Sequence, residues 1–260
     1  MVLFLVGCAG NKSEPINQAS DLVGKVIGDV TTAAPPEAYQ ALMTAHIGGA
    51  VQEVKFFNRP SDVIAAITTG KVDAAPVMTY MADYYVKRNS QLKMVEAEKL
   101  FPVDVVMFLR AEDSLLKNDF DLAITTLQDN GVLAKLKETW ITNLPVKDEP
   151  LLTEMAKIEG ARTVFVGITG DYLPLDYMAA DGRPSGFNVA FLSEISKLLN
   201  INITLVSLET QAKFQALSSK KIDVVFSQTY NEQMASLFNN KLVRTKSYFS
   251  DKGRCFLVKK

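Results

Sequence analysis

The amino-acid sequence predicts an α/β protein built as two lobes. Three observations carry this. A stretch of the chain recurs 150 residues later, strands alternate with amphipathic helices in both halves, and the composition is rich enough in apolar residues to bury two cores. The recurring stretch pairs Ala66-Ile67-Thr68-Thr69-Gly70-Lys71-Val72-Asp73-Ala74-Ala75 with Ala216-Leu217-Ser218-Ser219-Lys220-Lys221-Ile222-Asp223-Val224-Val225. Each copy reads as the end of a helix, a polar turn, and a short buried strand that opens with Asp. The chain has 260 residues, 48% of them hydrophobic, which suits one or two cores.

The early half predicts strands at 25–29, 51–56 and 72–77, with helices near 36–47 and 61–68. The late half predicts strands at 163–169, 202–207 and 222–227, with helices near 188–199 and 211–217. In the 188–199 helix, Val189, Leu192, Ile195 and Leu199 share one face. Such alternation argues for parallel sheets covered by helices on both faces. Between the halves, 103–109 reads as a nearly continuous apolar strand. The stretch 119–140 reads as helix broken near Asn130-Gly131, and 141–157 as a connection with Pro145 and Pro150. Asp181-Gly182 is a hairpin turn, since Gly accepts the positive φ that a tight turn needs.

The net charge is −1, which supplies no electrostatic attraction for nucleic acid. No apolar run reaches the roughly 18 residues needed to span a bilayer. Two cysteines, Cys8 and Cys255, and one histidine, His46, cannot make a disulfide framework or a thiolate zinc site. His46 closes a helix and reads as a surface or capping residue. Ser114-Leu115-Leu116-Lys117 matches only the two fixed positions of a serine acylase motif, and no phosphate-binding glycine loop is present. No enzyme, metal or cofactor is expected.

The N-terminal Met1-Val2-Leu3-Phe4-Leu5-Val6-Gly7 precedes Cys8. Leu5-Val6-Gly7-Cys8 resembles a bacterial lipobox, in which the cysteine thiol receives lipid. Two acyl chains there would anchor the protein stably to a membrane. The polar residues 9–20 then read as a tether.

Further motifs carry a family resemblance. Val166-Gly167-Ile168-Thr169-Gly170-Asp171-Tyr172-Leu173-Pro174-Leu175-Asp176-Tyr177, Asp181-Gly182-Arg183-Pro184-Ser185-Gly186-Phe187-Asn188, the 216–227 repeat and Tyr248-Phe249-Ser250 resemble the first lobe of the bacterial extracellular solute-binding proteins, family 3, which serve amino-acid ABC transporters. Leu22-Val23-Gly24-Lys25-Val26-Ile27-Gly28 and Thr69 to Ala74 resemble that family's second lobe, and 108–140 its returning segment. The resemblance implies a periplasmic-binding-protein type 2 clamshell that is circularly permuted. Its parts are a signal remnant and tether (1–20), the family's second lobe (21–103, here the early lobe), the return segment (104–144), a permutation linker (145–162) and the family's first lobe (163–260, here the late lobe). One of the family's two interlobe crossings is expected to be cut, leaving the chain ends together at the hinge.

The implied function is capture of a small polar solute, an amino acid or related compound, for the permease of an ABC importer. The protein would be monomeric and held at the outer face of the cell envelope by its lipid anchor. A sensing or degenerate binding module and a dehydratase-like enzyme are the alternatives on this fold. Ligands of paired α/β lobes sit at the carboxyl ends of the strands. That rule and the resemblance select Thr169, Asp171, Tyr172, Thr210, Ser227, Gln228 and Tyr230 on the late lobe, and Thr31, Thr32 and Met78 on the early lobe. The family's carboxylate-gripping Arg has no counterpart in Tyr230-Asn231-Glu232-Gln233-Met234-Ala235, and its ammonium-binding Asp falls at or near Met78. The charged clamp is therefore absent or moved, with Arg183, Arg244 and Arg254 as the available substitutes for the Arg. Asp73 and Asp223 stand at strand starts and read as structural.

Overall fold

The computed structural model describes residues 15–31, 36–98, 102–147, 150, 154–155, 157–210, 212–230 and 241–260. Cys8, the lipobox and Thr32 lie outside them. The early half runs β1 (Val26–Val30), α1 (Pro36–Ile47), β2 (Glu53–Phe57), α2 (Pro60–Thr68), β3 (Ala74–Met78), α3 (Thr79–Arg88) and β4 (Leu92–Val95). Next come β5 (Val103–Arg110), α4 (Ser114–Asp129) and α5 (Val132–Lys137). The late half runs β6 (Thr163–Ile168), β7 (Asp171–Tyr172), β8 (Asp176–Met178), β9 (Pro184–Ser185), α6 (Phe187–Leu199), β10 (Asn202–Ser207), α7 (Ala212–Ser218), β11 (Val224–Tyr230), β12 (Leu242–Arg244), β13 (Phe249–Asp251) and β14 (Arg254–Lys259).

Local chemistry explains these choices. All five residues of β3 are buried, as a central strand requires. The edge strand β2 leaves Glu53 and Phe56 in solvent. Helix α2 opens with Pro60, at a position that has no intrahelical partner for an N–H, and buries Val63, Ala66 and Ile67 at helical spacing.

The early sheet has the order β2-β1-β3-β14-β4 and the late sheet β10-β6-β11-β5-β12, with β13 also paired to β5. The two orders are the same arrangement. In each, three parallel strands of one half are followed by an antiparallel strand from elsewhere in the chain. The sheets are therefore mixed, not wholly parallel as the strand–helix alternation suggests. The antiparallel strands were hidden from that reading because no helix separates them from their neighbours.

The repeated aspartates hold equivalent joints. Asp73 Oδ2 accepts the Val26 N–H at 2.8 Å, and Asp223 Oδ2 accepts the Phe165 N–H at 2.9 Å. Their own N–H groups donate to Val26 O and Phe165 O, both at 2.8 Å. Each carboxylate thus ties the start of the third parallel strand to the first. The turn before it needs a left-handed residue in both copies, supplied by Gly70 (φ 73°) and by Lys220 (φ 59°).

Two predictions about the connections need correction. Strand β14 lies within 163–260, yet it hydrogen-bonds β3 and β4 of the early sheet. Neither interlobe crossing is cut. The chain passes from β4 to β5 through 96–102 and from β13 to β14 through Lys252 and Gly253. The described ends do meet, but not at the hinge. Lys93 Nζ donates to Asn17 Oδ1 at 2.7 Å, and Lys93 pairs with Val258. This is the end of β14 remote from Arg254, which faces Met78 at the carboxyl end of β3. His46 is also misread: it sits in the last turn of α1 but is only 2% exposed. Its Nδ1 lies 2.7 Å from Leu42 O, and burial lowers its pKa.

The late core is aromatic. Phe191 and Tyr248 stack at 4.7 Å, and Phe226 and Tyr248 at 5.2 Å. Hydrogen bonds of Asp176 and Asn188 lie beneath them, with Asn188 Nδ2 donating to Asp176 Oδ2 at 2.7 Å. The predicted Asp181-Gly182 turn is present, with Gly182 at φ 80° and Arg183 N–H bonded to Asp181 at 3.0 Å. No helix among the described residues is long and apolar enough to cross a membrane.

Two substitutions test this backbone. Lys220→Gly removes left-handed strain and should raise stability by roughly 0.5–1 kcal/mol in denaturant titrations, because the exposed Lys220–Glu112 pair contributes little. Gly186 has φ 108°, and an added Cβ would meet Leu175 O at 2.4 Å. Gly186→Ala should therefore cost about 2 kcal/mol or more by the same measurement.

Candidate functional site

The carboxyl ends of the parallel strands in both lobes face one cleft. On the early lobe these ends carry Asp29 to Thr31, the start of α2 and Met78. On the late lobe they carry Thr169 to Tyr172, the 207–213 loop and Ser227. Contact across the cleft is direct: Ser61 Oγ of α2 donates to Asp171 Oδ2 of β7 at 2.9 Å.

The late-lobe floor is held by Asp176. Its Oδ1 accepts the N–H groups of Thr169 at 3.2 Å and Gly170 at 2.8 Å. Thr169 is buried, and its hydroxyl accepts from Lys213 Nζ at 3.0 Å. Burial raises the pKa of Asp171, opposed by its bond to Ser61, and Asp171 Oδ1 is buried without a hydrogen-bond partner. The Thr210 hydroxyl is likewise buried and unpartnered. Tyr172 is partly buried beside Arg254 and Asp29 of the early lobe, and burial pushes its phenol up to about 12. Ser227 is left-handed at φ 58°, where a bulge interrupts the β11–β5 register, and it hydrogen-bonds Tyr248.

Other selected residues are turned to structure. The Gln228 amide donates to Phe226 O and Ser227 O, both at 3.1 Å, folding back on its own strand. Tyr230 is buried in an apolar cluster with Val106, Phe108 and Leu217, under the Arg244 guanidinium at 4.2 Å. It belongs to the core and not to the cleft, because β11 runs three residues past the bulge. Thr31 spends both its N–H and its hydroxyl on Phe57 O, at 2.8 and 3.0 Å. Met78 is 3% exposed and precedes α3.

Two further groups stand beside the selected residues. On the early lobe, Asp29 Oδ2 accepts from Tyr39 Oη at 2.5 Å and from Arg254 at 2.6 Å. Burial works against the Arg254 charge, but Asp29, Tyr39 and Tyr172 outweigh it and raise its pKa. Of the three candidate arginines, Arg254 alone reaches the cleft, and there it is already neutralised. Arg183 pairs with Asp181 and Arg244 covers Tyr230. On the late lobe, Lys213 is 1% exposed and, among the described residues, bonds Thr169 Oγ1 and, at 3.4 Å, Phe226 O. Burial lowers its pKa to about 8, although Asp176 and Asp171 act to raise it. The legible signal was spacing: Lys213 shares a helical face with Ala216 and Leu217.

The depressed Lys213 pKa makes stability depend on pH. Between about pH 8 and 10.5 the unfolded chain holds a proton at this position that the folded chain has released, so this group's contribution to stability rises with pH. Below pH 8 the folded protein carries the full cost of a buried charge, about 3 kcal/mol. Lys213→Met should therefore be more stable than the natural chain at pH 7. The difference in denaturation midpoint should shrink as pH approaches 10.5, whereas a constant difference would mean that the lysine titrates normally.

Residues 164–254 match the bacterial extracellular solute-binding proteins, family 3, and residues 4–134 match the NMT1/THI5 like family. The L-cystine-binding protein TcyJ of Escherichia coli (strain K12) is 32% identical over 98 residues, covering 38% of this chain and 36% of that protein. The arginine-binding extracellular protein ArtP of Bacillus subtilis (strain 168) is 30% identical over 133 residues, 50% of each chain. The chain thus spans a third to a half of the length of these relatives. Among solved structures, the ligand-binding component of an ABC-type import system from Staphylococcus aureus, with zinc bound, aligns over 90% of this chain and 65% of its own at 15% identity and a TM-score of 0.47. The chain belongs to the NMT1/THI5 like family, matched over 4–134, about half of its length, and its residues 164–254 match the bacterial extracellular solute-binding proteins, family 3.

Proposed function

We propose that this chain closes its two lobes on a small polar solute and delivers it to the permease of an ABC importer. The observation that carries the reading is the pair of facing strand ends joined by two crossings, with Ser61–Asp171 bridging the cleft. Two crossings let the lobes rotate as units, and such hinge closure is a common way to enclose a ligand. Hydroxyls, unpartnered polar atoms and the Tyr172 ring line the enclosed face, which suits a small polar molecule. The relatives' names point the same way: one binds L-cystine and the other arginine. The protein works at the outer face of the cell envelope as a monomer. Cys8 tethers it there through lipid and residues 9–14, the expected tether being shorter than 9–20 because Ile16 and Ala19 are buried in the early-lobe core, and the membrane is met only through that anchor.

We read the lobe order as circularly permuted. Supporting this, β14 ends beside the strand that Asn17 touches, so a short connection from Lys260 to the segment before β1 would restore the order that the resemblance implies. Removing a connection at such an exposed place is tolerated when the ends lie close together.

A thermal-shift panel of amino acids, amines, small peptides and organic acids tests the binding role. A ligand present at a hundred times its Kd adds about 2.7 kcal/mol of stability, an easily measured rise in Tm. Tyr172→Ala and Ser227→Ala should each reduce or abolish that rise. A panel without any rise in the natural chain would refute the binding role, and full retention in both variants would move the site elsewhere.

A further inference from the structure

Lys213 and Asp171 are opposite charges at the same end of the late sheet that do not pair with each other. Lys213 is almost wholly buried. Its ammonium has three N–H donors, and two neutral oxygens receive them, Thr169 Oγ1 and Phe226 O. Among the described residues no carboxylate oxygen forms an ion pair with it. Asp176 is the nearest buried acid in kind, yet its oxygens are taken by Thr169 N–H, Gly170 N–H and Asn188 Nδ2. A buried ammonium without a counter-ion is costly, so this arrangement persists best if an anion arrives from outside.

Asp171 presents the complementary deficit. Oδ2 accepts from the Ser61 hydroxyl across the cleft, the Ser61 N–H and the Arg59 charge also act on the carboxylate, and Oδ1 is buried without a hydrogen-bond partner of its own. Lys213 and Asp171 influence each other electrostatically, but they stand too far apart for an ion pair. The Thr210 hydroxyl, in the loop that leads into α7, is a second buried atom without a partner. Asp171 follows β6, and Thr210 and Lys213 follow β10, at the strand ends where a solute would be held.

We propose that Lys213 and Asp171 grip opposite ends of one zwitterionic solute, with Lys213 Nζ and the Thr210 hydroxyl donating to its carboxylate and Asp171 Oδ1 accepting from its ammonium. This rests on the solute-binding role above and names the residues that set its specificity. The charged clamp that the family resemblance places at an Arg after Ser227 and an Asp near Met78 is thereby relocated, with both charges on the late lobe. The early lobe then closes over an oriented ligand through Ser61, opposite Tyr172 of the late lobe. The groups facing Lys213 are Thr169, Phe226, Asp176 and Asp171. Affinity for the carboxylate should fall as pH rises past 8, when the ammonium loses its proton.

The test is titration calorimetry on the full chain with the standard amino acids and L-cystine, each beside its carboxamide and its N-acetyl derivative. The expected result is that at least one free amino acid binds and that its two derivatives bind on the order of a hundredfold more weakly. Lys213→Met should weaken the free acid by a similar factor and leave the carboxamide nearly unchanged. Asp171→Asn should weaken the free acid and leave the N-acetyl form nearly unchanged, and it keeps the test open if the lysine variant does not fold. If either folded variant binds the free acid within threefold of the natural chain, the clamp is wrong and the solute-binding role survives. Binding of sugars, amines or organic acids in place of zwitterions likewise overturns the clamp and leaves the solute-binding role standing. If nothing in the panel or among those solutes binds the natural chain, both readings fall together.

Discussion

Each large sheet is completed by a strand from the other half of the chain, and most of the structure depends on that exchange. Strand β14 fills the gap between β3 and β4, and β5 fills the gap between β11 and β12. Both borrowed strands are nearly all apolar and buried. Without β14 the early sheet would expose two unpaired edges and the side chains of Ala75 and Val77, and without β5 the late sheet would do the same around Val225. The backbone hydrogen bonds of a buried strand need partners, so neither lobe can satisfy its centre alone. The same two strands carry the crossings, which makes the hinge a by-product of core completion.

That constraint also places the charges. Arg254 opens β14 directly after Gly253, so it arrives at the carboxyl end of β3 together with Asp29 and Tyr39. Its charge is spent there on Asp29, which leaves the early-lobe face of the cleft closely balanced. On the late lobe the 207–213 loop lowers Lys213 onto the ends of β6 and β11, where only neutral oxygens meet it. The asymmetry between a neutralised arginine and an uncompensated lysine follows from which strand brings each one in. Asp171 marks the meeting line, because one of its oxygens is bonded to Ser61 of the early lobe and the other is buried without a hydrogen-bond partner.

Much of the late lobe was legible in the sequence alone. The Asp73 and Asp223 repeat, the β-branched strands and the amphipathic 187–199 helix are local patterns, and local patterns survive in sequence. The strand-end positions of Thr169, Asp171, Tyr172, Thr210 and Ser227 were legible because β6, β10 and β11 are marked by their own local patterns. Tyr230 was misplaced because the β11 bulge at Ser227 shifts the facing of every residue after it, and a bulge leaves no mark in composition. Helix α3 and β4 were missed because Tyr80, Tyr84 and Tyr85 blur the apolar period of the helix and β4 is only four residues long.

By itself, the sequence determined two α/β lobes of like construction, joined in an order that the family resemblance reads as rotated. It did so through repeated short-range signals: turn residues, strand-opening aspartates and helical spacing. Only the tertiary structure decided that β14 belongs to the early sheet, that the described ends meet at its far edge, and that Lys213 lies buried beside Thr169 with no acid among the described residues paired to it. The physical reason is range. Helix and strand identity are set by neighbours a few residues apart, whereas strand partners, burial of a charge and the facing of two lobes are set by residues far apart in the chain, such as Arg254 and Asp29 or Ser61 and Asp171.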